Sequence, residues 1–334
     1  MPLAPEEKRL LCQLADPEAT APDAALWSDA RLGRLFELAR AHGVLAIVWR
    51  KLRGAARGEG RSEAFRADIE RIETEHTLTV GRAMLLRHHA ARIGARLRER
   101  AIPAEIVKGP VFADRLYAHA SDRTFTDIDI LADPGDLDGI GAALADCGFV
   151  LHEKVWDNSA RYLEYKWFFE GNPQLMVEAQ GDLVHYPSLR RRLSFGYAEL
   201  KAVSEGAEPS PAGMLIVAAI HALGGHKFHR LQFAVDMLQA ARHVVDEDAL
   251  ARAVARVGAE LEVGAALHVT AELFGDARTA ALADRFTGGR RGTLGRRLLT
   301  ADAVLDAMPR PSRGSHLRRH GFRWLQLTGG DGRR

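Results

Sequence analysis

One short stretch carries most of the information about the fold, and it reads Arg123-Thr124-Phe125-Thr126-Asp127-Ile128-Asp129-Ile130-Leu131. Side chains on a β-strand alternate between its two faces, so Asp127 and Asp129 share one face while Ile128 and Ile130 share the other. The isoleucines predict a buried face. The aspartates predict two carboxylates a few ångströms apart, and each raises the pKa of the other unless a cation lies close by.

This acidic pair predicts a site for a divalent cation. Mg²⁺ prefers hard oxygen ligands and completes its coordination shell with waters and substrate phosphates, so a phosphate-bearing substrate fits the pattern. The alternative interpretation is an exposed acidic edge strand, because Asp-x-Asp is a common sequence.

A strand, a turn and a helix are predicted just before the acidic stretch. Glu105-Ile106-Val107 has the composition of a strand, Lys108-Gly109-Pro110 forms the turn, and residues 111–117 follow as a helix. Backbone amides at a glycine turn and a helix N-terminus suit phosphate oxygens, and Lys108 adds a positive charge. Pro110 has no amide hydrogen, which makes this cradle less complete than a Gly-Gly turn.

A third carboxylate, Glu178, ends the apolar run Leu175-Met176-Val177. On a strand next to the acidic pair it would activate a hydroxyl group or complete a metal shell, although a surface position explains a lone glutamate equally well. Lys166 alternates with Tyr165 and Trp167, which predicts a strand beside the one that carries Glu178. Lys166 is therefore a candidate for the same site.

Hydrophobic spacing divides the chain into three sections. Residues 1–100 are predicted to be helical, with Leu32, Leu35, Phe36 and Ala39 on one face. Residues 101–205 mix short strands with helices, and residues 206–334 return to helices. The predicted fold class is α+β, with a small mixed β-sheet core flanked by helical N-terminal and C-terminal sections.

Composition limits the class of protein. The chain has 334 residues, of which 47% are hydrophobic and 27% charged, and these values are typical of globular proteins with a sizeable core. Two cysteines, Cys12 and Cys147, exclude a disulfide framework and a four-thiolate zinc site. Glu6 and Glu7 stand where a signal peptide would be basic, and the longest apolar run is too short to cross a bilayer. We expect a cytoplasmic protein without a membrane partner.

Charge is concentrated at the C-terminal end. Residues 288–334 carry 11 arginines against 3 aspartates, whereas the whole chain has a formal charge of only +2. Such an end is a candidate for binding phosphates, nucleic acid or an acidic partner. A solvated helix face followed by a frayed tail is the favoured interpretation, because the whole chain is rich in Arg and Ala.

The acidic stretch and its flanks resemble the nucleotidyltransferases of the DNA polymerase β superfamily, and more closely a bacterial family of uncharacterised nucleotidyltransferases. The motifs that carry this resemblance are Lys108-Gly109, Leu116-Tyr117, Arg123, Asp127-Ile128-Asp129-Ile130-Leu131 and Cys147-Gly148-Phe149. The helical sections add Ala41-His42-Gly43-Val44, His221, His226 and Arg230-Leu231-Gln232-Phe233-Ala234-Val235-Asp236-Met237-Leu238. The resemblance covers residues 32–242 and identifies the central section as a nucleotidyltransferase core.

The resemblance implies in-line attack by an acceptor oxygen on the α-phosphorus of a nucleoside triphosphate, with pyrophosphate as the leaving group. Asp127 and Asp129 would hold one or two Mg²⁺ ions, and Glu178 would be a third ligand or the base. The residues expected to contact the nucleotide are Lys108, Gly109, Arg123 and Lys166. His221 and His226 are expected to hydrogen-bond Asp236 or to line the cleft behind the nucleotide.

The expected donor is a nucleoside triphosphate, with ATP favoured. The expected acceptor is a hydroxyl or phosphate group on a small molecule, peptide or protein, in a natural-product or toxin–antitoxin setting. A non-catalytic nucleotide-binding or scaffold protein with the same fold is one alternative. An enzyme that modifies tRNA ends through the basic C-terminal section is another, although a nucleic-acid partner is not favoured.

Overall fold

A computed structural model describes residues 4–157, 162–205 and 208–328 of the chain. It begins with the helices α1 (Pro5–Ala15), α2 (Asp29–Ala41), α3 (Leu45–Ala56) and α4 (Glu63–Glu99). Helix α4 is 37 residues long. The helical N-terminal section is therefore confirmed.

The central section forms the sheet. Its elements are β1 (Ala104–Val107), α5 (Gly109–Arg115), β2 (Asp127–Ala132), α6 (Leu137–Asp146), β3 (Phe149–Asp157), β4 (Tyr162–Phe169) and β5 (Asn172–Gln180). Within the described residues, five strands pair in the order β1-β2-β5-β4-β3. Strands β2 and β5 are parallel and the other neighbours are antiparallel. The mixed sheet and the α+β class agree with the prediction.

Strand β3 was not predicted from the sequence. It lies at the edge of the sheet, where both Val150 and Leu151 are exposed. An edge strand of this kind lacks a regular alternation of buried and exposed residues, so it leaves no clear period in the sequence.

The C-terminal section is helical apart from one short hairpin. Its elements are α7 (Pro187–Arg190), α8 (Tyr197–Ala202), β6 (Ser204–Glu205), β7 (Glu208–Pro209), α9 (Pro211–Ile220), a π-helical turn (His221–Gly225), α10 (Leu231–His243), α11 (Glu247–Val257), α12 (Glu260–Phe274), α13 (Ala277–Asp284), α14 (Gly289–Leu298), α15 (Ala301–Leu305) and α16 (Arg313–Leu327). Helix α9 starts at Pro211, because Ser210 caps it and a proline fits its first turn. Across the described residues, no helix is long and apolar enough to cross a membrane.

The basic C-terminal end forms helices, and the predicted frayed tail falls on its last residues. Helices α14, α15 and α16 fold against the protein, and Phe322 and Leu325 of α16 are buried in the larger core. Burial of such side chains contributes about 1.5 to 3 kcal/mol each, which explains why an Arg-rich segment still folds. Residues 329–334 lie outside the described residues.

The two faces of the sheet have different neighbours. Ile128 and Ile130 are completely buried against α4 and α6, in a core that includes Leu86 and Ile140. The opposite face carries Asp127 and Asp129 and is covered by helices from both ends of the chain. The alternation predicted from the acidic stretch therefore sets which face packs and which face is available for chemistry.

The N-terminal and C-terminal helices share one core. The turn after α2 docks on the start of α10, where Leu231 N donates to His42 Nδ1 (3.2 Å) and Gln232 N donates to the His42 carbonyl oxygen (3.1 Å). Gly43 has φ +75°, and a Cβ atom there would lie 2.6 Å from Gln232 Oε1. Only glycine fits this turn without a shift of its neighbours.

A buried ion pair joins the sheet to the C-terminal helices. Arg123, just before β2, donates from Nε (3.1 Å) and Nη2 (3.0 Å) to the two carboxylate oxygens of Asp236 on α10. Tyr117 donates its hydroxyl hydrogen to the same carboxylate at 2.6 Å. All three residues are at most 6% exposed. The pair therefore fixes the position of α10 relative to the acidic strand.

We predict that Asp236→Asn lowers the free energy of unfolding by about 3 to 5 kcal/mol, because it leaves the buried Arg123 charge uncompensated. Urea denaturation at neutral pH measures this loss. The matched control is Asp302→Asn, which breaks an exposed ion pair with Lys8 and should cost less than about 1 kcal/mol. Equal losses for the two variants would contradict the role of the buried pair.

Candidate functional site

The register of β2 and β5 brings three carboxylates onto one face of the sheet. Asp129 lies directly opposite Glu178, and Asp127 lies opposite Met176. Neighbouring strands are about 4.8 Å apart, so the Glu178 side chain projects beside the aspartate pair. The sequence could predict the pair from its alternation, but the distance to Glu178 depends on a pairing between strands far apart in the chain.

The three carboxylates repel one another in a partly desolvated position. Burial, followed by the charge of Asp129, raises the pKa of Asp127 to about 6. Burial also raises the pKa of Glu178 to about 7, with further contributions from the charges of Asp129 and Glu164. The site therefore holds more negative charge than its own cations neutralise.

Lys108 is the cation closest to the aspartates. Its Nζ lies 2.7 Å from Asp129 Oδ1 and 3.4 Å from His221 Nδ1. Gln180 also donates to Asp129 Oδ1, at 3.2 Å. Lys108 has φ +57°, a backbone conformation that is unfavourable for residues other than glycine. The ammonium group of Lys108 thus lies against Asp129, and its expected contact with phosphate stays a prediction.

Lys166 lies beside the third carboxylate. Strand β4 pairs Lys166 with Glu178, and Lys166 Nζ is 3.5 Å from Glu178 Oε1 and 3.1 Å from Glu164 Oε1. Burial alone would lower the pKa of Lys166, but the hydrogen bond to Glu164 and the neighbouring carboxylates raise it above the ordinary value. Lys166 thus lies on the strand next to Glu178, and its expected contact with the nucleotide stays a prediction.

A cleft of about 480 Å³ opens above the carboxylates. The sheet side contributes Asp127, Asp129 and Glu178, and the turn before α5 contributes Lys108 and Gly109. A Cβ atom on Gly109 would lie 3.3 Å from the backbone oxygen of Asp127, so a small residue lets the turn approach β2. The helical wall contributes aromatic and polar side chains, namely His185, His221, His226, His229, Gln232 and Phe233.

The histidines on the helical wall form an aromatic cluster. His226 stacks on Phe233 with ring centroids 5.2 Å apart, and His221 contacts both rings edge-on. Desolvation by the surrounding protein, followed by the charge of Lys108, lowers the pKa of His221 well below its ordinary value. The ring is neutral at pH 7, so its Nδ1 can accept a hydrogen bond from the Lys108 ammonium group.

Arg123 lines the cleft and also holds Asp236. Its Nε and Nη2 donate to the Asp236 carboxylate and its Nη1 donates to the Thr124 carbonyl oxygen. The predicted contact of Arg123 with the triphosphate stays a prediction. Of the two placements expected for His221 and His226, the structure shows the one in which they line the cleft, while Arg123 and Tyr117 bond Asp236.

Sequence reasoning missed several residues of the cleft. Sequence reasoning also missed Gln180, which is fully buried beneath the cleft and donates to Asp129; it lies two positions after Glu178 on the same face, so strand alternation could have identified it. His185 follows β5 in a loop and Gln232 starts α10, and no periodic signal marks either as part of the cleft.

The donor atoms suit a hard cation, but they do not form a closed cage. Among the described residues, no group of three or more His, Cys, Asp or Glu side chains is placed to hold a metal ion. The Lys108 ammonium group lies where Asp129 would otherwise offer its Oδ1 atom. A metal ion at Asp127 and Asp129 would therefore compete with Lys108 for Asp129.

Comparison with known proteins agrees with this geometry. A family model described as an uncharacterised nucleotidyltransferase matches residues 28–275, which is more than two thirds of the chain. The match includes the whole sheet and the helical wall of the cleft. No curated protein and no solved structure shows significant similarity to the chain. A chain with this match and this acidic face belongs to the family of uncharacterised nucleotidyltransferases.

Proposed function

We propose that the protein is a Mg²⁺-dependent enzyme that transfers a nucleoside monophosphate from a nucleoside triphosphate, with ATP as the donor. The acceptor is a hydroxyl or phosphate group on a small molecule, peptide or protein. The observation that supports this proposal best is the register of β2 and β5, which places Asp127, Asp129 and Glu178 together on the floor of a cleft.

The metal would be held by Asp127 and Asp129, with Glu178 as a third oxygen donor or as the base. Protein sites for Mg²⁺ commonly supply one or two carboxylates and leave the other positions to water and phosphate, so an open pair of aspartates suits the ion. When bound, the ion would neutralise the charge that develops on the attacking and leaving oxygens.

Lys108 changes its ionic partner in this proposal. Its ammonium group now pairs with Asp129 and neutralises part of the negative charge there, whereas a bound triphosphate would offer it a stronger anionic partner. Lys166 keeps a positive charge at the same edge of the cleft, and the neutral histidines provide a polar wall without adding charge. Arg123 and Asp236 act as positioning residues, because they fix α10 against the acidic strand.

Glu178 is the candidate base. A carboxylate with a pKa of about 7 can accept a proton near neutral pH more readily than an exposed glutamate. In the transfer step the acceptor oxygen forms a bond to the α-phosphorus while the bond from that phosphorus to the bridging oxygen breaks. The hydroxyl proton passes to Glu178, and pyrophosphate leaves with the electron pair of the broken bond.

We predict that Asp127→Asn folds normally but lowers nucleotide transfer by at least about 10²-fold, since the variant loses one oxygen charge at the reacting centre. Purified protein is incubated with α-³²P-labelled nucleoside triphosphates, Mg²⁺ and cell extract, and labelled products are resolved on gels and by thin-layer chromatography. The matched control is Asp138→Asn, a 91% exposed carboxylate on α6. Full activity of Asp127→Asn would refute the mechanism.

We predict that Mg²⁺ stabilises the protein more at pH 8 than at pH 5.5. The folded pKa values of Asp127 and Glu178 lie above their ordinary values, so protonation favours the fold at low pH, and this stability is lost as the pH rises through about 6 to 7. A cation offsets the repulsion between the ionised groups. At a Mg²⁺ concentration ten times the dissociation constant, Mg²⁺ should raise the melting temperature of the protein by about 2 °C at pH 8.

Differential scanning fluorimetry with Mg²⁺ alone, without nucleotide, measures this dependence. At pH 5.5 the rise should be less than half of that at pH 8. Asp127→Asn should show little difference between the two pH values, and Asp138→Asn should behave like the original protein. An equal rise at both pH values in the original protein would contradict this account of the site.

A further inference from the structure

Helix α16 brings a group of cations to the rim of the cleft. We define the cationic rim as Lys227, Arg319, His320 and Arg323. Lys227 Nζ lies 3.5 Å from His320 Nε2, and the guanidinium group of Arg323 lies 4.3 Å above the ring of Tyr186. Lys227 Nζ approaches the same ring at 5.8 Å. These side chains therefore form one cluster built from α16, the π-helical turn region and the loop after β5.

The cationic rim is continuous with the cleft. Tyr186 and Lys227 directly follow His185 and His226, two residues that line the cleft, and consecutive Cα atoms are about 3.8 Å apart. His229 also lines the cleft. Its pKa is lowered mainly by desolvation, and the charges of Arg230 and Arg319 lower it further. The rim residues do not themselves line the cleft, but they border its histidine side.

The protein only partly neutralises the positive charge of the rim, because the buried carboxylate of Glu262 attracts Arg323 and opposes the desolvation that lowers its pKa. Among the described residues, no Asp or Glu lies within ion-pair distance of Lys227, Arg319 or Arg323, and α16 contains no acidic residue. Desolvation, followed by the charges of Arg323 and Arg319, lowers the pKa of Lys227. Lys227 also has φ +53°, so the backbone holds it in this position under strain.

Arg323 has unused hydrogen-bond donors although it is buried. It is 8% exposed, and its Nη2 donates to the carbonyl oxygens of Leu223 (2.7 Å) and Gly224 (3.1 Å) in the π-helical turn. Its Nε and Nη1 have no partner. These two donors are closed off from solvent, so a ligand at the rim would meet the charge of Arg323 and not these N–H groups.

We infer that the cationic rim binds a phosphate group of a small phosphorylated acceptor. This inference rests on the proposed nucleotide transfer, because it names the acceptor for that same cleft. A guanidinium group matches phosphate oxygens through paired N–H donors, and a lysine beside it adds charge. The donor triphosphate has its own cation, Lys108, at the cleft floor, so the rim is available for the second substrate.

The position of the rim in the chain suits a role in acceptor choice. Arg319, His320 and Arg323 lie beyond residues 28–275, the part that matches the nucleotidyltransferase family. The reacting centre is thus built from the shared part, and most of the rim from the additional helices. A long nucleic acid would need a row of such contacts, but the next arginine on α16, Arg318, points elsewhere and donates to Thr300 Oγ1.

Isothermal titration with inorganic phosphate, in the absence of nucleotide, tests this inference. Lys227→Gln combined with Arg319→Gln should weaken phosphate binding by about 10-fold or more, which corresponds to one lost charge-assisted hydrogen bond. These residues are used because Arg323 also supports the π-helical turn, and Arg323→Gln could fail to fold. The matched control is Arg318→Gln on the same helix, and it should bind phosphate like the original protein.

The outcomes separate this inference from the proposed function. Retained Mg²⁺-dependent ATP binding in the double variant, together with lost phosphate binding, supports a separate acceptor site. Phosphate binding that is equal in the double variant and in Arg318→Gln overturns the inference, even if nucleotide transfer is intact. Tighter binding of a twelve-nucleotide single-stranded RNA with a steep salt dependence, and no binding of inorganic phosphate, also overturns it. Failure of nucleotide binding alone would refute only the proposed function.

Discussion

The buried ion pair between Arg123 and Asp236 is the interaction on which the candidate site depends. It connects the segment just before the acidic strand to helix α10. Tyr117, two residues after α5, also donates a hydrogen bond to the Asp236 carboxylate. The acidic strand β2 forms part of the floor of the cleft, and α10 forms part of its helical wall. Their separation is therefore set by a bidentate contact rather than by apolar packing alone, because guanidinium–carboxylate pairs tolerate little change in distance or angle.

Two places in the molecule hold charge that the protein itself does not fully neutralise. On the cleft floor Asp127 and Glu178 have raised pKa values, and Lys108 compensates only part of the negative charge. At the rim, the described part of the chain places no Asp or Glu within ion-pair distance of Lys227, Arg319 or Arg323, and Glu262 attracts Arg323 only at longer range. Charge of opposite sign at the floor and at the rim suits a reaction in which a cation-bound triphosphate and a second anionic molecule meet in one cleft.

Much of this arrangement was predictable, and the remainder depends on contacts between distant parts of the chain. Strand alternation identified the faces of Asp127 and Ile128, and the turn residues placed Lys108 and Gly109 beside them. The ion pair of Arg123 with Asp236 could not be predicted from the sequence, because the two residues lie 113 positions apart. It also missed β3, whose exposed edge lacks a regular period, and His185, which reaches the cleft from a loop. Local periodicity predicts elements, whereas their registers and long-range ion pairs follow from tertiary packing.

The most direct test of the account is a crystal structure of the complex with Mg²⁺ and a non-hydrolysable ATP analogue that has a methylene group between the α- and β-phosphates. The account predicts a metal ion ligated by Asp127 and Asp129, with the Lys108 ammonium group displaced from Asp129 toward the phosphates. A triphosphate bound outside this cleft, or bound with Lys108 still paired to Asp129 and no metal at the aspartates, would contradict it.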